Sequence, residues 1–146
     1  MQGPGMVVLL PNGTPARFRS MDLAFAAHKM FYLANGAKRP DLANEFAVGG
    51  TYGALAGIAQ ARAGGKTALK TYGVTLDASA WAAVRLAIMA RLVFARAGVD
   101  PLLITYCRQL AKEGSTIRFC SYTGELEDYL HIGDTLSIIG EFGYLP

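Results

Sequence analysis

The stretch from Asp77 to Gly98 limits this chain more than any other. Residues 78–97 contain neither glycine nor proline, and Trp81, Val84, Ile88, Leu92 and Ala95 recur at helical spacing. A helix of that length spans about 30 Å, roughly the width of a small domain, so the other elements must be arranged along it. Asp77 or Ser79 caps its start and Gly98 stops it. Asp100-Pro101 then supplies an N-cap followed by proline at the first helical position, opening a helix that runs to about Lys112 and ends at Gly114.

Upstream, glycine, proline and asparagine cut the chain into short pieces. Met6–Leu10 is an apolar run ending at Pro11-Asn12-Gly13, which reads as a strand, a turn and a return through Arg17-Phe18. Ser20 caps a helix that is expected to reach Asn35-Gly36. Further helices are expected over Pro40–Val48, Tyr52–Arg62 and Lys66–Tyr72, the last closed by Gly73. Downstream, Thr116–Tyr122 alternates and is β-rich, so a strand is expected there. Glu125–Leu130 reads as a helical turn, and Asp134–Ile139 is ambiguous. The expected fold is α+β and predominantly helical, with a few short strands in a single domain over residues 1–146. The mass of 15.6 kDa suits one domain.

Charge narrows the function classes. Charged residues make up 17% of the chain, below the usual quarter, so the surface is thinly charged or partly covered by a partner. The net charge is +3, but the basic residues are spread from Arg17 to Arg118 and no run exceeds Lys38-Arg39. That lacks the concentrated stripe of a nucleic-acid binder and suits a small phosphate-bearing molecule equally well. The uncharged stretch Phe46–Ala61, which no other exceeds, is shorter than the ~20 residues of a membrane helix and is laced with glycines. Met1–Gly5 has no leader pattern. The expectation is a soluble, cytoplasmic protein with no membrane partner and two reduced cysteines, Cys107 and Cys120.

Four groups of residues invite a chemical reading. Gly65-Lys66-Thr67 is like the end of a phosphate-binding loop, but Gln60 stands where the pattern needs glycine. Asp22 and Lys29 are seven residues apart, nearly two helical turns, so both face the same way with Phe25 bordering them. They either line one pocket or form a solvated face with an acid at the favourable helix end. Trp81 is the only tryptophan, with Arg85 one turn on. It is either a core aromatic covered by Arg85 or a stacking surface for a flat base, with Arg85 reaching phosphate. Glu125, Glu127, Asp128 and Asp134 surround His131, without the loop spacing of a metal site. No nucleophile elbow is present.

Taken together, these segments resemble the NADAR family, YbiA-like N-glycosidases linked to NAD, ADP-ribose and riboflavin metabolism. Arg17–Lys29 is similar to the family's aromatic-x-Ser-hydrophobic-Glu-x-Ala-aromatic-x-x-x-Lys helix. Trp81–Arg85 with Met89 is similar to its Trp-x-x-x-Arg-x-x-x-Met helix. Asp100–Leu103 and Leu110 resemble the next helix, and Tyr122-Thr123 with Asp128 a following strand and aspartate. The similarity covers roughly residues 12–130. It departs at Asp22, where the family usually has glutamate, and in the Trp-Gly after the aspartate, where this chain has His131-Ile132-Gly133. The family's Asn-Phe segment before its first strand has no counterpart here, and Gly133-Asp134 and Ile139-Gly140 match its terminal Asn-Leu-Gly pattern only loosely.

The resemblance implies cleavage of a ribose–nitrogen bond through an oxocarbenium-like transition state, as in glycoside hydrolysis. Asp22 would stabilise positive charge or activate water, while Lys29 or Asp128 would assist the departing base. Ser20, Trp81 and Arg85 would bind the substrate, with Trp81 holding the base and Arg85 the phosphates. No metal or organic cofactor is implied. The partner is a small nucleotide or an ADP-ribosylated substrate, with nucleic acid entering only as a modified substrate. Two other readings stand beside this one. The first is a pocket that holds a nucleotide without turning it over, which the altered C-terminal pattern favours. The second is a structural protein that assembles into a homo-oligomer.

Overall fold

The computed structural model describes residues 5–56, 59, 63, 65–117 and 132–142. They are mostly helical, with one two-stranded antiparallel sheet, so the α+β, predominantly helical class holds. The chain clusters into two compact units, Met1–Ile88 and Met89–Pro146.

The first unit begins with strand β1 (Met6–Leu9) paired to β2 (Pro15–Phe18), Met6 opposite Phe18 and Leu9 opposite Pro15. Gly13 takes a positive φ of 82° at the turn, a backbone conformation that glycine adopts without a Cβ penalty. Strand alternation puts Met6 and Val8 inside and leaves Val7 and Leu9 out. Helix α1 (Met21–Lys29) follows, with the Ser20 hydroxyl accepting from the Leu23 amide at 3.2 Å. Leu23, Ala24 and Ala27 are fully enclosed, and α1 packs on β2 and on the short helix α2 (Pro40–Asn44).

Helix α1 ends at Lys29, earlier than its composition suggests. Met30, Phe31 and Leu33 are buried, Leu33 bridges Leu76, and Asn35 adopts a left-handed φ of 62° in a 3-10 turn over Ala34–Gly36. Helix α2 likewise stops at Asn44, four residues short of Val48. Gly50 folds back so closely that a Cβ there would collide with the carbonyls of Asn44 and Glu45. Residues 52–54 are turns and 55–56 have no regular structure, so the third expected helix does not begin at Tyr52; its residues 57, 58 and 60–62 lie outside the described residues. Helix α3 (Lys66–Thr71) matches expectation, closed by Gly73 at a φ of 66°.

Helix α4 (Ala78–Gly98) is the long helix, with the Asp77 carboxylate accepting from the Ala80 amide at 3.1 Å. Its mean hydropathy of 1.5 over 18 residues makes it long and apolar enough to cross a membrane by length and composition alone. Trp81, Ile88, Met89, Leu92, Val93 and Arg96 are buried, 28% of that apolar window is buried in all, and Arg85 and Arg91 are exposed.

In the second unit, α5 (Pro101–Lys112) starts at the Asp100 cap and packs along α6 (Ile132–Phe142). The ambiguous stretch after Asp134 is therefore helical. Gly140 of α6 lies so close to α5 that a Cβ there would sit 2.8 Å from the Cys107 carbonyl carbon. Of the strand expected over Thr116–Tyr122, Thr116 and Ile117 are not in a strand; its remaining residues and the Glu125–Leu130 turn lie outside the described residues.

Candidate functional site

Helix α1 presents a polar face with opposite charges at its two ends. Ser20 is spent on capping: its side chain is buried and its oxygen holds the Leu23 amide. Asp22 sits half-buried in the first turn, where the helix dipole favours negative charge. Lys29 sits half-buried in the last turn, roughly 10 Å further along the axis. Phe25 lies between them on the same face.

What faces this end of α1 is the start of α4, and backbone hydrogen bonds fix the approach. The Asp77 amide donates to the Tyr32 carbonyl at 2.9 Å and the Ala34 amide to the Thr75 carbonyl at 2.7 Å, around a Leu33–Leu76 bridge. This clip sets the residues that leave α1 beside the residues that enter α4. Trp81 then packs between Phe25, with ring centroids 4.9 Å apart, and Tyr32, at 5.6 Å. The ring planes are inclined at 54° and 51°, the tilted geometry aromatic pairs favour.

The Lys29 ammonium stands 5.8 Å from the Phe25 ring centroid and 6.0 Å from that of Trp81, at the outer limit of cation–π attraction. Burial pushes the Lys29 pKa below its ordinary value, and the positive charge of Arg85 pushes it further the same way. Arg85 itself is exposed. The site is thus a partly desolvated cation against aromatic carbon, a second cation beside it, and a carboxylate two turns back on the same helix. Such an arrangement can bind an anion and deliver a proton close to where the anion is held.

No family model, curated protein or solved structure matches this chain. The site therefore has to be read from its own residues. The structure brings Lys29 to Trp81 and within electrostatic reach of Arg85, while Asp22 lies two turns back on α1. Asp128, with Glu125, Glu127 and His131, lies outside the described residues. The indole of Trp81 is only 6% exposed, so its faces are enclosed by neighbouring groups. Among the described residues no three His, Cys, Asp or Glu side chains gather as a metal site would require.

Tyr32 belongs to the cluster and was not among the residues singled out in the sequence. Helical spacing could not have found it, because α1 ends at Lys29; the turn that follows and the hydrogen bond from the Asp77 amide bring Tyr32 to Trp81. A second polar group has a structural explanation. Thr51 donates to the Glu45 carboxylate and Tyr52 stacks on Phe46 at 5.1 Å, pinning the loop that contains Gly50. Burial, a hydrogen bond to Tyr52 and the nearby Glu45 charge push the Tyr72 phenol well above its ordinary range, so it holds its proton.

Proposed function

We propose that this protein is an N-glycosidase that hydrolyses a ribose–nitrogen bond in an ADP-ribose-, NAD- or riboflavin-pathway-related nucleotide, for example ADP-ribosylated guanine. One observation carries the reading: a half-buried carboxylate and a half-buried ammonium share one face of α1, and that face meets aromatic rings and a further cation at the start of α4. The resemblance to NADAR enzymes adds the reaction type.

The chemistry follows from charge. As the ribose–nitrogen bond breaks, positive charge grows on the sugar and negative charge on the departing base. The Asp22 carboxylate suits the first, by stabilising the sugar cation and taking a proton from the attacking water. Lys29 suits the second. Its depressed pKa makes it a stronger acid than an ordinary lysine, so it gives up a proton to the leaving nitrogen more readily. Arg85, exposed beside it, is free to meet substrate phosphate with its guanidinium fork.

The experiment is base release. The protein is incubated with ADP-ribosylated guanosine, a ribosyl-aminopyrimidine phosphate, ADP-ribose and NAD, and products are separated and weighed by mass spectrometry. Release by the native protein and not by Asp22→Asn supports the reading. A second reading, nucleotide binding without turnover, is favoured by the altered C-terminal pattern, with His131-Ile132-Gly133 where the family has Trp-Gly. Binding that survives Asp22→Asn, with no release by the native protein, selects it.

A further inference from the structure

We infer that Tyr32, rather than the lone tryptophan, is the surface on which the substrate's nucleobase stacks. The inference rests on the glycosidase reading and names the residue that recognises the leaving base. It starts from how the three rings of the cluster are covered. Phe25 is 8% exposed and Trp81 6%, while Tyr32 is only half-buried. A planar heterocycle arriving beside Lys29 and Arg85 meets Tyr32 without displacing any packed ring.

Three further features fit the role. Tyr32 meets Trp81 at a tilt of 51°, so the indole does not lie parallel on its face. Its backbone is held from both sides: the amide donates to the Lys29 carbonyl at 3.0 Å and the carbonyl accepts from the Asp77 amide at 2.9 Å. A ring on a fixed backbone gives up little conformational freedom when it binds. Finally, Tyr32 and the Lys29 ammonium both adjoin the Trp81 ring, at 5.6 and 6.0 Å from its centroid, so a base on Tyr32 belongs to the same cluster as the group that protonates it. A tyrosine face is sequence-tolerant because every base has a π surface. The pocket should therefore accept aromatic bases broadly and favour purines for their larger area.

Trp81 offers a built-in probe, since it is the only tryptophan and its ring lies 5.6 Å from that of Tyr32. Trp81 emission is titrated with GMP, and thermal shift is followed with ribose 5-phosphate, for the native protein, Tyr32→Phe and Tyr32→Leu. GMP is expected to change the emission. Half-saturation should rise about tenfold in Tyr32→Leu, within the range of a lost base–aromatic stack, and return to near the native value in Tyr32→Phe. Ribose 5-phosphate, which has no base, should respond alike in all three. An unchanged GMP half-saturation in Tyr32→Leu, or no GMP response in the native protein, overturns the inference. A series on the native protein alone decides the matter if Tyr32→Leu fails to fold. GMP and AMP should bind more tightly than UMP and ribose 5-phosphate, and equal affinities overturn the inference. Base release, measured separately, tells the two ideas apart. Tyr32-dependent GMP binding without release sinks the glycosidase, whereas release that ignores Tyr32→Leu sinks the stacking role.

Discussion

The two compact units differ in what surrounds their buried groups, although each draws a cation out of water: Lys29 in one and Arg96, 5% exposed, in the other. In residues 89–146, close approach is achieved with the smallest side chains: Gly140 lies against the Cys107 backbone, and the Cys107 thiol is 1% exposed with its pKa pushed up by burial. A thiol in that state is inert filling. In residues 1–88, a lysine is drawn partly out of water against two rings, with an arginine beside it that makes its charge harder to keep. The contrast teaches that burial by itself is uninformative, even of a charge such as Arg96; what sets Lys29 apart is the gathering of two aromatic rings and a second cation around it.

The sharpest way to break this contrast is Asp22→Asn, which keeps shape and removes charge. Base release should fall by a factor of roughly 10² to 10⁴, the range for a lost acid–base group. The melting transition should remain cooperative. In the second unit, Gly140→Ala inserts a methyl against the Cys107 backbone. Chemical denaturation should show a loss of about 1–3 kcal/mol, the usual cost of overpacking a tight contact. Retained stability would mean that the α5–α6 approach is looser than described.

Ser20→Ala separates capping from substrate binding. The Ser20 oxygen already holds the Leu23 amide, so its loss should cost about 1 kcal/mol in stability with KM unchanged. A raised KM at unchanged stability would return Ser20 to the binding surface.

The smallest effect concerns pH. Lys29 is lowered from its ordinary 10.5, by burial first and Arg85 second. Between the lowered value and 10.5 the unfolded chain binds more protons at this position than the folded protein, so the Lys29 contribution to stability rises with pH across that window. Catalysis runs the other way. An acid must carry its proton, so kcat/KM should fall as pH rises through the lowered value. Arg85→Gln removes the smaller cause, and the alkaline limb should move upward while staying below 10.5, because burial remains. A limb that does not move would remove Lys29 from the reaction.

Much of the fold was legible because local chemistry dictated it. Asn12-Gly13 fixed the hairpin, Ser20 and Asp100 marked helix starts, and Gly73, Gly98 and Gly114 lie at or just beyond helix ends. The errors came where tertiary contacts overrode local preference. Residues 30–33 look helical, yet the chain turns at Met30-Phe31 and Leu33 bridges Leu76 in the clip to residues 75–77. The pairing of Lys29 with Trp81 and Arg85 was hidden for the same reason, since no spacing within α1 or α4 says that their ends meet. Tyr32 was missed because α1 appeared to continue through it, which made it one more helical aromatic.

The central claim is that Asp22 and Lys29 act together on a ribose–nitrogen bond. Its most direct test is a double-mutant comparison of single-turnover base release from ADP-ribosylated guanosine, using the native protein, Asp22→Asn, Lys29→Met and the double variant. Each single change should remove most of the activity, and the double change should cost far less than the product of the two, as expected of groups that serve one step. Release that persists at the native rate in both single variants would contradict the claim.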